Sequence, residues 1–301
     1  YQVITMSLKH LISGWKPCSY DVYAETYQRF GGSVNMHPDI VEFFMRKGQR
    51  GFSFWQYCKN GDVVAAYFIV DNKEVGLNVW REFPVSFDEV MLPVSADQKI
   101  WLPDKTNRLS SRHRDTILNS AFFYRTKRSI CRVKTSFSGK TIKKRNGELR
   151  KFMGMGGECY RLSDMSPKDI ASLYVRLFKL RFADSVRCYE EEKIEELISA
   201  VPHLIFGNVL FYADTPCAID LVLSANSDNM VYFDVPNGGV DPKYSAFSPG
   251  SMLMWANISD ARDLCTTQDK EMVFSIGLYE KDWEYKLRWA DTAKTGKVIC
   301  F

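Results

Sequence analysis

Three apolar runs follow one another in the second half of the chain with only short gaps between them: Asn208 to Tyr212, Ala218 to Ser224 and Met230 to Val235. Parallel neighbours need a crossover of about a dozen residues or more, so strands this close in sequence pair antiparallel. A doubly wound nucleotide-binding sheet is therefore a poor fit. Two helices precede the runs. Ser166-Pro167-Lys168-Asp169 supplies an N-cap, a proline at the first helical position and an acid in the first turn. Ile170, Leu173, Tyr174, Leu177 and Phe178 then recur at helical spacing and define one buried face. The second helix is predicted over Glu190 to Ala200, with Ile194, Leu197 and Ile198 inward. After the strands come a Gly- and Pro-rich loop, a helix over Ser251 to Leu264, a strand over Met272 to Leu278 and an aromatic helix over Asp282 to Trp289. This order predicts an α/β fold with mixed, mostly antiparallel sheets.

The first half reads as two helices followed by a hairpin. Ser19 to Phe30 stops at Gly31-Gly32, and a second helix starts at Pro38 and stops at Gly48, with Ile40, Phe43 and Phe44 on one face. Phe52 to Cys58 and Val63 to Val70 flank Asn60-Gly61, a strong hairpin signal. Short strands are expected near Val90 to Val94 and Ala121 to Tyr124, and a helix after Ser110. Lys140 to Met153 reads as a linking helix in spite of Asn146-Gly147. Gly154-Met155-Gly156-Gly157 then breaks the chain before a strand from Cys159 to Leu162. The boundary falls there, giving halves 1–153 and 154–301, and the first half could be a degenerate copy of the second.

Forty Lys and Arg against 36 Asp and Glu leave a net charge of +4, too small to specify a nucleic-acid partner. Its distribution says more. From Trp101 to Met153 there are 15 Lys and Arg and three acids, so this stretch carries +12 and the remainder −8. Such a field attracts phosphate, RNA or an anionic membrane, although a charged run also serves as a plain solvated face. Phe122-Phe123-Tyr124 beside Arg125, Lys127 and Arg128 offers the aromatic edge and the cations that membrane docking needs. A DNA reader would need an unbroken recognition helix, and Lys143-Lys144-Arg145-Asn146 is interrupted by Gly147. The eight cysteines show no CxxC spacing and the four histidines are scattered, so no metal is expected. Several cysteines lie in apolar runs, as reduced core thiols of cytosolic proteins do. No 18-residue apolar span and no signal-peptide pattern is present, and Met6 could be the natural start.

The segment from Tyr232 to Ser251 carries the chemistry. A strand ends in a Gly-rich loop, and the loop ends where the amides of a helix are unpaired, which makes an anion site. Phe247, Ser248, Pro249, Gly250 and Ser251 are the candidate binding residues, with Ser248, Gly250 and Ser251 letting backbone approach a phosphate. A capped helix after a long loop would look the same.

Phe247-Ser-Pro-Gly-Ser-Met-Leu-Met254, preceded by Asp241-Pro-Lys-Tyr244, resembles the helix entry of GNAT-type transferases of the Fem and cellulose-biosynthesis-related branches. Glu284-Tyr-Lys-Leu-Arg-Trp289 resembles their final motif, and the likeness covers roughly Cys159 to Trp289. The whole chain looks like the Mig-fourteen (macrophage-inducible) family of enteric bacteria, through Tyr20-Asp-Val-Tyr23, Arg29-Phe-Gly-Gly-Ser-Val-Asn35 and His37-Pro38. That resemblance implies a two-half GNAT-like fold, a link to antimicrobial-peptide resistance, and association with the inner membrane. Peripheral binding of its cytoplasmic face through the basic stretch fits the lack of a spanning segment. The resemblance further implies a donor lying along the strand that ends at Val235, with phosphates at Phe247 to Ser251 and an amine attacking the donor carbonyl. The Arg/Gln-x-x-Gly-x-Gly/Ala loop of acyl-CoA enzymes is absent, so acyl-CoA and aminoacyl-tRNA both stand as donors.

Lys286 matches the lysine of the Fem motif and is expected to stabilise charge at the reaction centre. Asp234 is the candidate base, with Asp220 and Glu280 weaker ones, and Tyr244 the candidate proton donor. Each has a structural alternative: a surface lysine, a partnered strand acid, a packing tyrosine. His203 reads as structural. The function expected is an acyl or aminoacyl transferase acting on an amine of an envelope, lipid or peptide substrate. The alternative is a non-catalytic scaffold or regulator bound to membrane or DNA.

Overall fold

The computed structural model describes residues 8–122, 128–183 and 185–300. The chain opens with α1 (Leu8–Ser13) and β1 (Trp15–Pro17). Next come α2 (Tyr20–Phe30), whose N-cap Ser19 accepts from Val22 N, and α3 (Pro38–Arg46), with proline in its first turn. β2 (Phe52–Lys59) and β3 (Asp62–Val70) form the expected hairpin, and β1 and β4 (Glu74–Val75) flank it in a four-stranded antiparallel sheet. The strand expected near Val90 to Val94 is reduced to isolated bridges, Val90 to Leu109 and Val94 to Ala65. Only Ser120–Ala121 (β5) of the next expected strand is formed, and Phe123 and Tyr124 lie outside the described residues. After Ser110, one 3-10 turn (Ser111–His113) replaces the expected helix.

The second sheet has seven strands. Its members are β6 (Ser129–Val133), β7 (Gly157–Arg161), β8 (Asn208–Tyr212), β9 (Thr215–Asn226), β10 (Met230–Val240), β11 (Glu271–Leu278) and β12 (Ala290–Lys294), in the order β12-β6-β11-β10-β9-β8-β7. β10 and β11 are the one parallel pair; all other neighbours run antiparallel. One strand, β6, precedes residue 154 and lies between β11 and β12. The linking helix α4 (Gly139–Gly154) runs straight through Asn146-Gly147, capped by Ser138, and buries only Phe152. The remaining helices are α5 (Pro167–Phe182), α6 (Glu191–Ala200) and α7 (Pro249–Gln268); a two-strand ladder of β5 with β13 (Lys297–Val298) completes the fold. One apolar cluster runs through both halves, holding Met36, Val90, Tyr174 and Leu223 together.

Two elements differ from expectation. The supposed loop after Val235 is a continuation of β10, which stays paired with β9 as far as Val240. Pro236 has no amide to give, so the ladder skips it as a bulge between Asp234 and Asn237 and then resumes. Gly239 is required by packing: a Cβ there would run into the Leu177–Phe178 backbone of α5. The aromatic helix is instead a 3-10 segment, Lys281–Arg288, kinked at Trp283.

Candidate functional site

β10 and β11 stay in register from Met230 to Asp234 opposite Glu271 to Ser275, and their pairing ends there. Beyond that point β10 bulges towards β9 while β11 pairs with β6, so the two strands part at Asp234 and Ser275. Asp234 is 3% exposed at this fork. Burial pushes its carboxyl well above the usual range, and repulsion from Asp88 and Glu89 adds to this while Ser86 opposes it. Oδ2 has no hydrogen-bond partner among the described residues.

Lys286 reaches the same fork from the 3-10 segment. Its Nζ donates to the carbonyls of Ile276 and Leu278, both at 2.7 Å, and lies 4.5 Å from the Trp283 ring centre. Burial lowers its pKa. An ammonium has three N–H donors, so one remains after these two bonds. Between the two acceptors sits Gly277, φ +76°. A methyl group there would lie 3.1 Å from Asp88 Oδ2 and 3.7 Å from Lys286 Nζ. A carboxylate and an ammonium thus face each other across the space that this glycine leaves open. Asp88 comes from the first half, held by Arg128, whose Nη2 donates to Asp88 Oδ1 at 3.0 Å.

The helix entry forms a separate pocket of about 600 Å³. Phe247, Ser248 and Ser251 line it, opposite Lys144, Arg145 and Lys151 of α4 and beside Arg288. The expected amides are partly spent: Ser248 N donates to Ser245 O and Ser251 N to Ser248 O, each at 2.9 Å. Pro249 is buried, and a Cβ at Gly250 would meet Val240 at 3.2 Å, so neither lines the pocket. The pocket's positive charge comes from α4 and Arg288 instead. Arg145 is tied in place by Glu148 at 2.7 Å, Ser251 Oγ at 3.2 Å and the Trp289 ring at 4.9 Å.

Of the residues singled out from sequence, Lys286 and Asp234 each lie near Asp88 at the fork, whereas Tyr244 packs beside Tyr212, ring centres 6.0 Å apart. Asp220 is buried behind the bulge, accepting from Asn257 at 3.2 Å, and burial raises its pKa to about 6. His203 pairs with Asp39 at 2.6 Å, and Glu280 precedes the 3-10 segment. Arg128 is committed to Asp88, and Arg125 and Lys127 lie outside the described residues. Asp88 was not legible as a site residue, while Arg128 was read as a membrane contact and Arg288 only as part of the Glu284–Trp289 motif. Gly277 did carry a signal, as an isolated glycine inside an apolar strand.

A parallel pair joined by a helix and parting at a bulge, inside an otherwise antiparallel sheet, is the arrangement of a GNAT-like fold. The chain is similar to the crystal structure of FemX, with a TM-score of 0.63 and 8% identity over 95% of this chain and 97% of that one. It is also similar to the C-terminal domain of a putative lysylphosphatidylglycerol synthetase from Agrobacterium fabrum, at TM-score 0.50 and 10% identity over 92% and 90%. A tandem GNAT protein of the clavulanic acid pathway matches at TM-score 0.45 and 8% identity, over 94% and 95%. The chain belongs to the Mig-14 family, whose model matches residues 37–298. No curated protein sequence matches it.

Proposed function

We propose that the protein transfers an acyl or aminoacyl group from a phosphate-bearing donor to an amine. The observation that carries this reading is the pair Asp88 and Lys286 facing one space at the fork of β10 and β11. The donor's phosphates sit in the basic pocket, and its carbonyl reaches the fork. Asp88 takes a proton from the acceptor amine, whose nitrogen bonds to the donor carbonyl carbon. The free N–H of Lys286 stabilises the oxyanion, the C–S or C–O bond to the carrier breaks, and the leaving atom takes up the proton. Acyl-CoA and aminoacyl-tRNA both fit the pocket's chemistry.

Family membership extends the reading to an amine of an envelope, lipid or peptide substrate and to antimicrobial-peptide resistance. It also supports a peripheral place on the cytoplasmic side of the inner membrane. No helix among the described residues is long and apolar enough to cross a membrane. Leu8, Leu11 and Ile12 stand exposed on α1, and Lys9, Lys105 and Lys297 gather around nearby Cys300. That face supports contact with anionic lipid better than Arg128 does.

The test is mass-spectrometric detection of transfer from labelled acyl-CoAs and charged tRNAs to a panel of amines. Lys286→Ala and Asp88→Asn should each cost ~100-fold, as loss of a charge-stabilising or proton-accepting group does. Transfer that is indifferent to both substitutions rules this centre out.

A further inference from the structure

We propose that the fork also holds a buried primary-ammonium site in which Asp234 is the counter-charge and Asp88 its neighbour. The inference rests on the transferase reading and deepens it by naming a charge that one substrate must carry. Three carboxylates line one narrow polar gap with Ser86, Tyr232 and Ser275: Asp88, Glu89 and Asp234. Two have cationic partners. Glu89 is bonded by Arg132 and by the Tyr232 hydroxyl at 2.8 Å, and Asp88 by Arg128. Asp234 has hydrogen bonds from Ser86 but no cationic partner, and its Oδ2 is buried and without a hydrogen-bond partner among the described residues. A buried unpaired acceptor costs several kcal/mol in general, so its retention beside a reaction centre calls for a ligand donor.

An ammonium suits the gap better than a metal ion. A hard divalent cation needs six or more oxygens, most of which are already engaged here, whereas an ammonium brings three N–H donors to a few acceptors. Two sources share this chemistry. One is the α-ammonium of a transferred aminoacyl group, which lies next to the reacting carbonyl; the other is a second amine on the acceptor.

The experiment uses the full chain and reads binding without turnover, by thermal shift and calorimetry at matched ionic strength. The probes are alaninamide, which mimics the donor-side ammonium, 1,5-diaminopentane for the acceptor side, and N-methylacetamide as a neutral control. One or both ammonium probes should raise Tm while the neutral control does not. Asp234→Asn keeps the shape, removes the carboxyl that ionises against a bound ammonium, and should lower ammonium affinity at least tenfold. Preference for alaninamide assigns the site to the donor, and preference for the diamine assigns it to the acceptor. Equal effects of ammonium and neutral probes on the wild-type protein overturn the proposal, as does unchanged affinity in Asp234→Asn. Should that variant not fold, the wild-type comparison decides alone. Ammonium binding in a protein that transfers nothing counts against the transferase reading only, and an active protein without ammonium binding counts against this site only.

Discussion

Acid should loosen the loop that presents Asp88, through a histidine that contacts no substrate. His113 is buried, and its Nε2 accepts the Leu92 amide at 2.8 Å, four residues after Asp88. Burial, with repulsion from Arg112 and Arg132, pushes its pKa from 6.5 down to about 3. The folded state therefore resists protonation that the unfolded chain accepts. Stability from the neutral ring is complete above pH 6.5 and is lost as pH falls towards 3. Well below pH 6.5 each pH unit removes about 1.4 kcal/mol, and lowering pH from 7.5 to 4.5 removes ~2.7 kcal/mol through His113. His37, buried and lowered to about 4, adds a loss of the same sign in the same window. His113→Gln keeps an acceptor for Leu92 N and cannot be protonated. Urea unfolding followed by tryptophan fluorescence, at intervals from pH 7.5 to 4.5, should give a wild-type curve that falls ~2.7 kcal/mol further than the variant's over that range. Groups common to both proteins cancel in the comparison. Parallel curves would refute the reasoning, since they would mean that His113 titrates alike in the folded and unfolded chain.

Gly277→Ala and Gly61→Ala both place a side chain at positive φ, but only the first fills space, because nothing lies within 4 Å of a Cβ at Gly61. Each should cost about 1–2 kcal/mol in thermal melts, while transfer falls ~100-fold for Gly277→Ala alone; equal transfer by the two variants would move the reaction elsewhere. Lys144→Gln combined with Arg288→Gln should weaken pyrophosphate binding about tenfold and flatten its salt dependence in calorimetry. An unchanged affinity would show that the pocket does not hold phosphate. A double-mutant cycle with Arg128→Gln and Asp88→Asn should give a coupling of about 0.5–1 kcal/mol for this partly buried pair, and a coupling of zero would mean that Arg128 does not hold Asp88.

The sequence carried most of the architecture of residues 159–289 because each element there satisfies local rules. Ser166 caps α5, Pro167 begins it, and three short-spaced strands have only one way to pair. Reading failed where a tertiary contact overrides the local signal. Pro236-Asn237-Gly238-Gly239 looks like loop, yet β9 holds it in the sheet and α5 needs Gly239 bare. Asn146 in the middle of α4 looks like a break, yet its Oδ1 accepts from Trp255 Nε1 at 2.7 Å. The site was half legible. Lys286 and Asp234 stand out in apolar or aromatic runs that the sequence pattern places, although the ends of those elements differ from expectation, whereas Asp88 sits on an irregular segment with no periodicity to place it. The basic run was visible as charge, but not that Arg128 turns inward to a carboxylate while Lys144 and Arg145 form a pocket wall.

The position of β6 between β11 and β12 has a consequence for biosynthesis. Residues 129–133 leave the ribosome as an apolar strand with both edges open, and neither partner exists until 134–270 have been made. A nascent chain of this design carries an unpaired strand through most of its second half, in the state in which edges recruit one another. Closure of the sheet therefore waits for β11 and β12. Slowing translation between α4 and β11 should prolong the dependence on holding chaperones, while the β2–β3 hairpin, whose partners are adjacent in sequence, forms early and needs no such protection.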